Sequence, residues 1–306
     1  MTLFARLSPL HDQRSARLAG IALMLAGVGL FSLGDTVGKI VVATYTLGQF
    51  LLLRSATSIV LVAPFIWRER TAFRRLPRPG LHALRVVMST AEVAAFFAAV
   101  TYLPLADVIT YYLATPIFVT AIAALVLKEP VGWRRWSAVG VGFCGVLVAL
   151  QPSADTLTWP ALIALGGSLS FAVLMVVTRS LRGAPDIVLA SSQFAGTLIL
   201  GAIMAPFGWV TPDLGGLALF VAAGAIAVGA LLSVNRSLRL APASVVAPYQ
   251  YTMIVYAVIF GYLVFGDVPA WHTLAGAAII IGAGFYIFLR EQRLGRTSEG
   301  ITPPPA

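Results

Sequence analysis

The chain has 306 residues, 59% of them hydrophobic and 11% charged, with a mean hydropathy of +0.90 and a formal net charge of +9. Soluble domains carry about 45–50% apolar and about 25% charged residues, so this composition excludes an ordinary soluble fold and points to an integral membrane protein. The positive charge is no nucleic-acid footprint, because the arginines stand singly or in small groups between apolar runs rather than along one face.

A helix crosses a bilayer with about 20 predominantly apolar residues. In chain order the apolar runs predict ten such helices, over 18–42, 47–67, 82–102, 105–127, 136–150, 157–177, 187–207, 217–234, 244–265 and 271–289. The segments between them are short and carry Pro, Gly or clustered charge, as in "RERTAFRRLPRPG", "KEPVG", "RGAPD" and "GDVPAW". Outside the predicted spans, Lys and Arg fall only in alternate segments. Arg6, Arg14 and Arg17 precede the first span; Arg68, Arg70, Arg74, Arg75 and Arg78 follow the second; Lys128, Arg134 and Arg135, then Arg179 and Arg182, then Arg236 and Arg239 occupy later alternate loops; and Arg290, Arg293 and Arg296 follow the last span. The intervening loops, "ATYT", "LPLAD", "QPSADTLT", "GWVTPDLGG" and "GDVPAW", contain neither residue. The positive-inside rule then places both termini in the cytoplasm, with residues 1–17 and 290–306 as cytoplasmic tails, and an even number of spans agrees.

The two halves of the chain resemble one another. "LADV" ending at Val108 matches "PASV" ending at Val245, an offset of 137 residues, and each leads into a tyrosine-containing span. An acidic turn follows in both, with Glu129 in the first and Asp267 in the second, and then a Gly-rich span. Five spans per copy is an odd number, so the second copy enters the membrane from the opposite side. The expected architecture is all-α, with one five-helix repeat over 18–150 and an inverted one over 157–289. Inverted repeats supply two pseudo-symmetric packings around a midplane site, the design of a carrier that works by alternating access.

The motifs "LPLADV", "LATPIF", "LVLKEPVGWRRW" and "VGFCGVLVALQP", with their echo from "APYQYTMIVYAVIFGYLVFGDVPAW" onward, resemble the EamA branch of the drug/metabolite transporter superfamily over about residues 18–290. That resemblance implies a bacterial inner-membrane location and carriage of small organic solutes, a group whose members include importers of riboflavin or S-adenosylmethionine and exporters of amino acids and other metabolites. The acidic residue usual after the fourth span is Glu129, whereas the second copy has Asp267.

Charges inside spans are costly, about 2.5–3.5 kcal/mol each at a helix centre on insertion scales, and they usually face protein or water. Asp35 and Lys39 stand at i and i+4 of the first span. Two readings fit them. They neutralise each other on one helical face, or that face lines the solute cavity, with Lys39 binding an anionic group and Asp35 an amine or a proton. Arg54 in the second span and Glu92 in the third form the other candidate pair, either a structural or gating contact between helices or, through Glu92, a proton carrier. Tyr111 and Tyr112 precede Pro116, and Tyr249, Gln250 and Tyr251 follow Pro248. Tyrosines beside helix-breaking prolines suit a cavity wall, where they stack on a planar solute and hydrogen-bond its edge; interfacial or core packing is the competing reading.

Other classes fit poorly. "GDTVGKI" lacks the spacing, hydroxyl and preceding strand of a phosphate loop, and His11, His82 and His272 are scattered, so no cofactor or metal is implied. Cys144, the single cysteine, excludes an intramolecular disulfide. No enzyme's convergent acid, base or nucleophile is legible, and no repeated filter suggests a channel. The reading is a secondary carrier of a small polar metabolite, leaning to a planar vitamin- or nucleoside-like solute such as riboflavin, with export of amino acids or a metallophore as the alternative. Its partners are the solute, protons and membrane lipids, and it works as a monomer or homodimer.

Overall fold

The structure is a computed structural model, and it describes residues 4–71, 73, 78–115, 118–119, 121–122, 133–151, 158–181, 184–240, 249 and 252–299. The described residues form helices and connecting turns, without a strand. In order these are α1 (Phe4–Val42), α2 (Leu47–Arg68), α3 (Pro79–Val100), α4 (Leu105–Tyr112), α5 (Trp133–Leu150), α6 (Trp159–Ser180), α7 (Asp186–Met204), α8 (Leu214–Leu240) and α9 (Thr252–Phe260), which a π-helical turn (Gly261–Phe265) extends, then α10 (Trp271–Glu299). Among the described residues, six stretches are long and apolar enough to cross a membrane: Leu18–Val42, Leu47–Arg68, Pro79–Val100, Trp159–Thr178, Asp186–Met204 and Leu214–Val234.

The crossing stretch in α1 keeps the predicted bounds, Leu18–Val42, but two helices run well past their predicted spans and one predicted span is interrupted. Helix α1 begins at Phe4 and α10 runs on to Glu299, into both predicted tails. Hydropathy marks only the part of a helix that lies in lipid, whereas Arg, Gln and Glu propagate a helix as well as apolar residues do. The predicted span 105–127 is interrupted, because α4 ends at Tyr112 and turns follow at Leu113 and Ala114. By sequence Pro116 lacks the N–H that the Tyr112 carbonyl, four residues back, would need, which weakens the ladder at this point.

Lipid offers no hydrophobic drive for helices to associate, so they rely on close packing. The principal contacts join α1 to α8, α3 to α6, α2 to α7 and α5 to α10, followed by α2 with α8, α3 with α7, α1 with α9, α4 with α6 and α4 with α9. Exchange α1–α5 for α6–α10 and this pattern reproduces itself: α1–α8 becomes α6–α3, α1–α9 becomes α6–α4, and α2–α7, α5–α10 and α4–α9 map onto themselves. The α5–α10 seam is so tight that a Cβ on Gly276 would lie 2.6 Å from the Gly145 carbonyl and 2.5 Å from the Ala149 Cβ. Outward-facing side chains such as Val60, Ile199, Ile203 and Leu263 are exposed and apolar, as a lipid-facing surface requires.

The end of the bundle bearing the Lys- and Arg-free loops is well knit. Thr46 and Gln49 form a capping box on α2, and Gln49 also reaches across, its Nε2 donating to the Val210 carbonyl at 2.6 Å while its Oε1 accepts from the Val210 N–H at 3.0 Å. Nearby the Tyr45 hydroxyl donates to Asp213 at 3.2 Å.

Candidate solute-binding site

A polar stripe runs down one face of α1: Ser32, Asp35, Thr36 and Lys39, spaced so that successive turns bring them into line. Ser32 and Thr36 are buried, and Thr36 donates back to the Ser32 carbonyl at 2.8 Å. Ser32 Oγ and Asp35 Oδ2 are buried yet have no hydrogen-bond partner among the described residues. Orphaned polar atoms are scarce in folded proteins, so two on one face of one helix call for an explanation. Glycines bring this helix close to its neighbours. A Cβ on Gly38 would strike the Phe97 ring, and one on Gly34 would lie 3.2 Å from Ile226.

Arg54 on α2 and Glu92 on α3 are both half-buried and, with Asp35, lie within electrostatic reach of one another. The expected Arg54–Glu92 ion pair does not form. Instead the guanidinium lies over two rings, 5.6 Å from the Phe50 centroid and 5.4 Å from that of Phe97, which themselves pack edge to face at 4.5 Å. An arginine held by ring faces keeps its five N–H donors available for a ligand.

Tyr112 closes this side. Its hydroxyl donates to the Glu92 carbonyl at 3.1 Å, its ring meets the edge of Phe96 at 5.2 Å, and Gly167 on α6 leaves the space that its hydroxyl occupies. Tyr111 is buried beside it in the main apolar core. Tyr249 is not brought to Tyr112; it packs with Met24, Val28 and Tyr256 between α1 and α9. Gln250 and Tyr251 lie outside the described residues. The sequence-predicted residues that converge are therefore Asp35, Arg54, Glu92 and Tyr112.

Lys39 does not neutralise Asp35. Its Nζ makes an ion pair with Asp267 Oδ2 at 2.8 Å and lies 4.4 Å from the Phe265 ring centroid. A second polar contact between the halves is a hydrogen bond, from the Thr273 hydroxyl on α10 to Asp107 on α4 at 2.8 Å. Sequence reasoning treated Asp107 and Asp267 only as landmarks of the repeat. The usable signal was compositional: Lys39 sits three residues from the end of α1, beside loops whose charged groups are all acidic.

The EamA-like transporter family model matches residues 18–151 and 158–289. A riboflavin transporter of Rhizobium johnstonii is 32% identical over 235 residues, 76% of this chain and 78% of that protein. An S-adenosylmethionine uptake transporter of Rickettsia prowazekii is 24% identical over 287 residues, 93% of this chain and 97% of that one. A solved crystal structure shares the fold with a TM-score of 0.59 at 17% identity, covering 92% of this chain and 99% of its own.

Proposed function

The chain belongs to the EamA-like transporter family of bacterial inner-membrane proteins, and on that premise we propose that it is a secondary carrier whose solute is a planar, polar metabolite of the riboflavin kind. The observation that carries this reading is the constellation around the unpartnered Asp35 carboxylate oxygen, with Arg54 and Glu92 beside it and the rings of Phe50, Phe97 and Tyr112 around them. Flat aromatic walls with a few convergent donors and acceptors are what a fused-ring solute with polar edges needs. Arg54 donates to ring carbonyls, and Asp35 and Glu92 accept from ring or side-chain N–H and O–H groups. The relative at 32% identity is named a riboflavin transporter, which supports the same choice.

The carrier spans the membrane ten times, as two inverted five-helix repeats over 18–150 and 157–289, with both termini in the cytoplasm and no catalytic step. Support comes from the Lys and Arg distribution, from the twofold match of the family model and from the exchange symmetry of the helix contacts. Asp35 and Glu92 are the groups that take up a proton when the solute leaves. A second reading is favoured by the excess of carboxylates over guanidinium in the cluster: a solute bearing an amine or other cationic group, such as an exported amino acid.

The test is counterflow in proteoliposomes, with labelled riboflavin and labelled amino acids in parallel, with and without an imposed pH gradient. Saturable riboflavin counterflow that unlabelled amino acids do not inhibit is the expected result. Flux of amino acids alone selects the second reading, and ohmic current without counterflow overturns the carrier altogether.

A further inference from the structure

The Lys39–Asp267 ion pair links the first helix of the chain to the turn before the last one, 228 residues away. The two side chains are 17% and 30% exposed, so the pair is neither a solvated surface contact nor locked in a dry core. A part-exposed pair contributes little net energy and breaks readily, yet its partners are specific.

The backbone on the Asp267 side is unusual. The π-helical turn Gly261–Phe265 widens the end of α9, and π turns in α-helices are frequent at functional sites. It ends at Gly266 with φ +71°, a left-handed conformation that side chains rarely adopt, so the chain reverses sharply here. The Asp267 N–H is tied to the Gly261 carbonyl at 3.1 Å, so the aspartate moves with the turn. Phe265, from the same turn, lies against the Lys39 ammonium. The Thr273–Asp107 bond repeats the connection one step along, from α10 to α4. Both contacts therefore join the first half of the chain to the second, at the end with the Lys- and Arg-free loops. Lys39 is also one helical turn beyond Asp35 on the α1 polar stripe, directly between the candidate solute site and that end.

We propose that Lys39 and Asp267 form a reversible latch that closes this end of the carrier over its solute, with the π-helical turn Gly261–Phe265 and the Asp267 it holds as the moving half. Lys39 then acts on access rather than as a solute ligand. The inference rests on the carrier reading above, but its test needs no solute. Thr36→Cys, one turn deeper than Lys39 on the same buried stripe, is placed in a Cys144→Ser background of the full chain. A membrane-impermeant maleimide is then applied to right-side-out and inside-out membrane vesicles separately.

With the latch intact, labelling from the face of the Lys- and Arg-free loops is slow. Lys39→Met and Asp267→Asn each speed it by about two- to fivefold, the range a part-exposed ion pair can supply, and the charge-swapped double variant K39D/D267K returns it to the parent's rate. Unchanged labelling in both single variants overturns the latch. So does a charge swap that fails to restore slow labelling, or a Lys39→Met protein that loses solute uptake while its labelling stays slow, which makes Lys39 a solute ligand. If a variant is not monodisperse, Thr273→Val cuts the neighbouring tie instead and must move labelling in the same direction. Solute flux that fails while labelling responds as expected removes the assigned solute and leaves the latch standing.

Discussion

Asp35→Asn separates a structural carboxylate from a functional one. The substitution keeps shape and volume and removes only charge and the capacity to exchange a proton. In the structure Asp35 Oδ2 makes no hydrogen bond and Lys39 pairs elsewhere, so the fold loses no ion pair and no hydrogen bond to that oxygen. The cost to stability is then within about 1 kcal/mol, the scale of a substitution that creates no cavity and breaks no pair. Had Asp35 been half of a buried ion pair, the loss would be about 3–5 kcal/mol. The solute side differs, since a hydrogen bond to a charged group contributes about 1.5–3 kcal/mol. At about 1.4 kcal/mol per factor of ten, kcat/KM for uptake falls about 10- to 150-fold. The assay is initial uptake in proteoliposomes, normalised to folded protein, alongside thermal unfolding in detergent and a repeat with an imposed pH gradient. The pH gradient stimulates the parent and loses its effect in the variant. A variant that unfolds at far lower temperature yet transports normally per folded molecule, with the gradient response intact, would refute the assignment.

Arg54→Lys keeps the charge but gives up the planar group lying over Phe50 and Phe97, so solute KM rises about three- to tenfold while folding changes little; an unchanged KM removes Arg54 from the site. Gly276→Val drives a side chain into the Gly145 carbonyl and Ala149, and destabilises by about 3 kcal/mol or more, read as loss of monodisperse protein in detergent. A single cysteine at Arg70 in a Cys144→Ser background is labelled by impermeant maleimide only from the cytoplasmic face, and one at Thr211 only from the opposite face; the reverse pattern inverts the proposed topology.

Much of the architecture was readable from local composition. The six described crossing stretches all fall where hydropathy predicted a span, because insertion into lipid depends on the side chains of one segment and sums along it. The helical extensions into the tails were missed for the same reason, since hydropathy does not report helix propensity outside the bilayer. The break after Tyr112 was legible in Pro116, though the predicted span ran through it. At the site, the residue types that converge, Asp35, Arg54, Glu92 and Tyr112, stood out as polar groups in apolar surroundings. Their partners did not.

What the sequence determined by itself is that this chain lives in a membrane, where the six described crossing stretches lie, in which segments its positive charge gathers and which side chains are too costly to bury idly. Those are local properties, carried by each segment wherever it packs. Only the tertiary structure decided that Arg54 rests on aromatic faces rather than on Glu92, that Tyr112 and Tyr249 line different seams, and that Lys39 reaches Asp267. An i, i+4 carboxylate is always near in sequence, but α1 presents the Lys39 ammonium at the bundle end, where the turn before α10 brings a carboxylate to 2.8 Å. Which helix lies opposite another is a property of the packed bundle, and no local rule along the chain contains it.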